Sequence, residues 1–206
     1  MYTLSIIKQK SLIFYQYKLA CGRKMRYFNN IYAKREFFNL KILQMNNLYT
    51  TSAVPVALAL GSNIGNGAET FLLACKLLQE NGFVIEKRSG NIVTKPVDCP
   101  AGTPDFINSA LIGRFAGTPQ ELLQITKGIE VALGRPADHG FHESRTIDLD
   151  IIIFGDTILD TVDLQLPHPR AQRRCFVLEP LAQIAPDWIF PDTGQSVAGA
   201  LRKLKN

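Results

Sequence analysis

The chain has 206 residues and a formal net charge of +5, a length that suits one domain of ordinary size, alone or with a tail. Residues 1–55 hold nine Lys/Arg and one acid, Glu36, whereas the rest holds fourteen Lys/Arg against seventeen Asp/Glu. The body is therefore mildly acidic, which argues against a nucleic-acid binder, and no apolar run approaches the ~20 residues of a membrane span.

Residues 1–53 mix Lys and Arg with Phe, Tyr, Ile and Asn and keep no helical or strand period. We expect a basic extension, disordered or loosely docked, ahead of a domain at 54–206. Our preferred reading is a mis-assigned start with Met45 as the initiator. An organellar targeting peptide within 1–44 and a basic surface-binding tail are the alternatives. Four cysteines, Cys21, Cys75, Cys99 and Cys175, show neither Cys-x-x-Cys spacing nor zinc-like His partners. That fits a reducing, cytoplasmic setting, unless residues 1–44 direct the chain to an organelle.

A short apolar strand at 54–60 runs into the turn Gly61-Ser62-Asn63-Ile64-Gly65. Phe71, Leu72, Cys75 and Leu78 follow helical spacing over 68–81, and Asn81-Gly82 closes that helix. Strand pieces at 83–86 and 91–94 precede a Pro/Gly-rich loop, 95–104, and a strand at 106–115. Thr118, Pro119 and Glu121 combine an N-cap, a first-turn proline and a capping-box acid, opening a helix to about Leu133. A polar loop at 134–144 leads to the strand 145–154. Beyond it lie a strand at 157–159, an extended Leu166–Arg170 segment, a short helix at 171–181 and a basic helix at 197–204. The order β-α-β-β-α-β is that of an α+β, ferredoxin-like split βαβ core: an antiparallel sheet with helices on both faces.

The segment 145–154 carries the chemistry. Period-2 alternation sets Ile147, Leu149, Ile151 and Ile153 on one face and Asp148 and Asp150 on the other. Ile152 and Phe154 continue the acidic face, so that face is covered and the carboxylates need a cation between them. A pair of hard oxygen ligands with an open shell suits Mg²⁺ and substrate phosphates, which Arg145 would also address. Phe106 and Asn108 share a strand face, an aromatic beside an amide that suits a flat heterocycle. His168, Arg170, Arg173 and Arg174 gather cationic donors near a helix start.

Together these segments resemble the 6-hydroxymethyl-7,8-dihydropterin pyrophosphokinase family of folate biosynthesis. The resemblance runs from about residue 54 to 192 through Gly61-Ser62-Asn63, Asp105-Phe106-Ile107-Asn108, Glu130 with Gly134-Arg135, the ungapped Arg145-Thr146-Ile147-Asp148-Leu149-Asp150 block, Pro167-His168, Arg174 with Phe176, and Pro180-Leu181. It implies transfer of pyrophosphate from MgATP to the pterin's hydroxymethyl oxygen with release of AMP. Asp148 and Asp150 would hold two Mg²⁺ ions. Arg135 and Arg145 would act on the phosphates, with Glu130, His168 and Arg174 also on the ATP side. Phe106 and Phe176 would sandwich the pterin, Asn108 would read its edge, and Thr94 and Val97 would lie along it. The partners would be the two small substrates, without nucleic acid or membrane, and the protein a monomer. His142, Asp163 and Pro169 depart from the residues often found at their positions in the family.

Two other classes fit less well. A nucleotidyltransferase places its acidic pair about a dozen residues after a Gly-Ser turn, whereas Asp148 lies 87 positions after Gly61. An RNA-binding ferredoxin-like module needs a basic aromatic sheet face, not one bearing two aspartates.

Overall fold

The structure, a computed structural model, describes residues 53–96, 100, 102–135 and 144–206. The elements follow in the order β1 (Val54–Ser62), α1 (Gly67–Glu80), β2 (Val84–Arg88), β3 (Ile92–Thr94), β4 (Phe106–Phe115), α2 (Pro119–Ala132), β5 (Asp148–Phe154), β6 (Leu159–Asp160), β7 (Gln165–Leu166), α3 (Cys175–Ile184) and α4 (Val197–Lys205). All of them belong to the unit Thr51–Asn206.

Four positions across the main sheet run β2-β4-β1-β5, all antiparallel, and β3 also pairs with β4. Two short strands thus share one edge position: β2 lies along Leu111–Arg114 of β4 and β3 along Phe106–Asn108. Between them Ser89 keeps the ladder satisfied, its N–H donating to Ala110 O (2.9 Å) and its Oγ accepting from Ala110 N (2.8 Å). This is the split βαβ arrangement expected from the element order.

Both faces are covered. α1 and α2 pack Phe71, Leu78, Leu122 and Ile129 against Leu58, Leu60, Leu149 and Ile151. α3 and α4 pack Val177, Leu178, Val197 and Ala200 against Ala57, Ala110 and Ile152. The helix starts follow local chemistry. Glu121 N donates to Thr118 Oγ1 (3.2 Å) and Thr118 N donates back to Glu121 Oε2 (2.7 Å), a complete capping box. Asn66 Oδ1 likewise accepts from Glu69 N at the start of α1.

Several expectations need correction: the strand expected at 145–154 begins only at Asp148, and Gly61 and Ser62, expected in a turn, are the last residues of β1. Alternation in β5 breaks at a bulge: Leu58 faces Ile151 but Ala57 faces Ile153, leaving Ile152 unmatched. Ile153 therefore joins Ile152 in the core under α3 and α4, while Phe154 joins the opposite one. The helix expected at 171–181 is two pieces, a 3₁₀ turn at Ala171–Arg173 and then α3, separated by Arg174 in extended conformation (φ −124°, ψ 106°). The strand expected at 157–159 begins only at Leu159, as a hairpin between β6 and β7.

Candidate active site

Sheet register assembles the site. Asn108 on β4, Gly61 on β1 and Asp148 on β5 are neighbours in one row, and Ala110, Ala59 and Asp150 form the next. Directly opposed residues share a face, and so do residues two apart along a strand. Phe106, Asn108, Asp148 and Asp150 therefore face the α3 and α4 side, across a floor of Gly61 and Ala59. A Cβ on Gly61 would meet Asn108 Oδ1 at 3.4 Å and Asp148 Cβ at 3.8 Å, so the missing side chain keeps that floor open.

Arginines meet Asp148 from both sides. Arg135 Nη1 lies 2.6 Å from Asp148 Oδ1 and 2.9 Å from Glu130 Oε1, and Arg145 Nη1 lies 2.7 Å from Asp148 Oδ2. Glu130 is buried near the end of α2, and its Oε1 also accepts the Leu149 N–H at 2.6 Å. Helix and strand are thus fastened at the peptide between the two aspartates. Arg145 itself is held by Asn63, whose Oδ1 accepts from Arg145 N (2.7 Å) while Asn63 Nδ2 donates to Ser144 Oγ (3.0 Å). Arg145 Nε is buried and has no hydrogen-bond partner among the described residues.

The charges shape one another. Burial raises Glu130 to about 7, against the pull of the Leu149 N–H and Arg135. Asp150 is also raised, by burial first and then by Asp148 and Glu130, with Arg174 and Arg145 offsetting part of it. For Arg135 burial acts downward, but Asp148 and Glu130 outweigh it and the guanidinium is held more firmly charged. His168 is lowered to about 4 by burial and then by Arg174 and Arg170. Its Nδ1 accepts the Arg170 N–H (3.2 Å), which assigns the ring proton of the neutral imidazole to Nε2. Burial and Arg170 likewise lower Arg174.

A cleft of about 1040 Å³ runs along β5 between α2 and the β6–β7 hairpin. Glu130, Arg135, Asp148, Asp150 and His168 all line it, with Lys127 and Asp163 farther along. On the sheet face, Asn108 Nδ2 donates to Thr94 Oγ1 (2.9 Å), and Phe106 and Phe176 are both half-buried. A guanidinium stands over each ring, Arg145 at 5.8 Å from the Phe106 centroid and Arg174 at 5.3 Å from that of Phe176. The aspartates thus lie where the cleft and the aromatic face meet.

Of the residues singled out from sequence, Arg135, Arg145, Asp148 and Glu130 form one ion-paired cluster, with Asp150 and His168 along the same cleft. Thr94, Asn108 and Phe106 neighbour one another on β3 and β4. Val97 and His142 lie outside the described residues. Sequence reasoning passed over Asn63, reading Gly61-Ser62-Asn63 as a turn, and its only signal was an amide just past a strand end. Lys127 was also missed, although its place three residues before Glu130 puts it on the same helix face.

A family model described as 7,8-dihydro-6-hydroxymethylpterin-pyrophosphokinase matches residues 57–186. The chain is 38% identical to the 2-amino-4-hydroxy-6-hydroxymethyldihydropteridine pyrophosphokinase of Synechocystis over 139 residues, covering 67% of this chain and 70% of that protein. It is also 38% identical to the enzyme of that name from Pseudomonas aeruginosa, covering 66% of this chain and 84% of that one. A folate synthesis bifunctional protein of Arabidopsis thaliana is 34% identical, and the match spans 29% of its length. In structure, the wild-type HPPK-DHPS of Plasmodium falciparum with pteroate is similar at a TM-score of 0.58 and 14% identity. That match covers 74% of this chain and 44% of the longer one, and speaks for the fold alone.

Proposed function

The chain belongs to the 7,8-dihydro-6-hydroxymethylpterin-pyrophosphokinase family, and on that premise we propose how its residues divide the work. The family's reaction moves a pyrophosphoryl group from ATP to the hydroxymethyl oxygen of the dihydropterin: an oxygen–β-phosphorus bond forms, the bond between the α-phosphate and the β-phosphorus breaks, and AMP leaves. ATP is a substrate, and the family generally uses it with Mg²⁺.

The residues present fit a divalent cation. Asp148 and Asp150 offer hard oxygens from one strand face, and Asp150 is destabilised as an anion by burial and by its two acidic neighbours. A cation between them removes that penalty. Two Mg²⁺ would be held by this pair, neutralising the triphosphate and the attacking oxygen. The chain's own groups do the rest by positioning and charge, as phosphoryl transfer requires. Arg135 and Arg145, now on Asp148, are within reach of phosphates that enter the cleft beside it. His168, neutral with its Nε2–H free of the Arg170 contact, serves as a hydrogen-bond donor to phosphate rather than as an acid near pH 7. Arg174 adds positive charge on the same side. The pterin would lie on the opposite side, between Phe106 and Phe176, with Asn108 and Thr94 at its edge and Val97 beside it. Glu130 reads better as a clamp on Leu149 and Arg135 than as an ATP ligand, because one oxygen already serves both.

The observation that carries the assignment is the two carboxylates on one strand face where the cleft meets the aromatic face. Asp148→Asn and Asp150→Asn should each abolish Mg²⁺-dependent AMP formation from ATP and hydroxymethyldihydropterin. Asp150→Asn should fold at least as stably, since it removes a poorly solvated charge. Near-normal turnover in either variant would remove the metal centre from this pair.

A further inference from the structure

The register that pairs β1 with β5 ends at Gly61 and Asp148, yet the two segments remain fastened farther out, at Asn63 and Arg145, in part by a side chain. Asn63 N donates to Arg145 O at 3.1 Å, Asn63 Oδ1 accepts from Arg145 N at 2.7 Å, and Asn63 Nδ2 donates to Ser144 Oγ at 3.0 Å. The side-chain amide thus supplies the acceptor that a continued strand ladder would have given. It holds the N–H of Arg145 while the Asn63 backbone N–H holds the carbonyl, so both backbone polar groups of a residue outside any helix or strand are fixed. Such a hold sets where the long side chain starts. From there Arg145 reaches Asp148 at 2.7 Å and stands over Phe106 at 5.8 Å, spanning the acidic pair and the aromatic face. Its Nε is buried without a partner among the described residues.

We propose that Asn63 is a positioning residue for the pyrophosphoryl transfer, acting only through Arg145 by pinning its backbone to the end of β1. The inference rests on the reading of Arg145 as a phosphate-directed group. Hydrogen-bonded arginine contacts on a transferring phosphoryl group are geometry-sensitive, and a misplacement of about 1 Å can cost on the order of 10²-fold. The loss belongs in kcat more than in KM, because the guanidinium's contribution is largest when charge develops on the phosphates.

The experiment is a double-mutant cycle on the full chain. Asn63→Ala should lower kcat by about 10- to 100-fold with a smaller change in the KM of either substrate. Asn63→Asp keeps the acceptor for the Arg145 N–H and should restore kcat to within a few-fold of wild type. In an Arg145→Ala background, Asn63→Ala should cost no more than about twofold further, the scatter expected of uncoupled sites. An equal loss in both backgrounds, or an unchanged kcat for Asn63→Ala, overturns the proposal and leaves the Arg145 assignment standing. A silent Arg145→Ala overturns the Arg145 assignment and this proposal with it. Should Asn63→Ala not fold, Ser144→Ala and Asn63→Asp are carried through the same cycle. Additive losses from both of these in the Arg145→Ala background overturn the proposal equally.

Discussion

Glu130 and His168 line the same cleft as the two aspartates, but burial moves their protons in opposite directions. For Glu130 the folded chain keeps a proton up to about 7 that the unfolded chain loses near 4.5. The native state binds more protons between those values, so its stability falls as pH rises through that window. His168 is the reverse: the unfolded chain takes up a proton below 6.5 that the folded chain refuses until about 4, so stability rises with pH across that range. A Gln at 130 keeps an Oε1 for the Leu149 N–H and cannot ionise. Glu130→Gln should therefore gain stability relative to wild type as pH climbs from 4.5 to 7, read as a growing difference in urea midpoint. A difference that stays flat would mean that Glu130 ionises in the fold as easily as in the open chain. Glu130→Ala, which strands the Leu149 N–H, should destabilise at every pH.

At the level of elements, the recognition surface is split between a strand that sequence pattern reads well and a helix that it reads poorly. Phe106 and Asn108 were legible because β4 pairs with β1 without a bulge, so residues two apart keep one face, and the register across Gly61 then carries that face to Asp148. Asp148 and Asp150 were legible for the same reason. Alternation failed at Ile152, where a bulge sets two consecutive isoleucines on one core and returns Phe154 to the other. Nothing in a run of β-branched residues marks which one is extra, since each suits either face. Arg174 was read as mid-helix because the residues around it have ordinary helix propensity, and only packing under the sheet shows the break that precedes Phe176. The roles of Asn63 and Glu130 were illegible for a related reason: each acts on a backbone group 82 or 19 residues away. Both rings being half-buried, their removal should be felt by a ligand before it is felt by the core. Phe106→Ala and Phe176→Ala should each weaken dihydropterin binding, with about 0.5–1.5 kcal/mol lost beyond the area effect. MgATP affinity should move much less, and calorimetric titration of both ligands checks it. Equal weakening of the two ligands would place the pterin elsewhere.

At the scale of the whole molecule, the family match at 57–186, both covered faces of the sheet and the acidic centre all fall within Thr51–Asn206. Residues 1–44 contribute nine Lys/Arg and one Glu, a +8 surplus on a chain whose total is +5. Without them the protein is net acidic, so its long-range attraction to anionic surfaces should reverse, while charges within the cleft keep their neighbours. We therefore expect a chain beginning at Met45 to fold and to form AMP at the rate of the full chain. It should also lose any salt-sensitive retention on an anionic resin that the full chain shows. Turnover and retention are measured on both proteins side by side. An insoluble or inactive short form would show that the segment before Met45 contributes to the fold. A short form that is fully active yet changes compartment in cells would make the segment a targeting peptide.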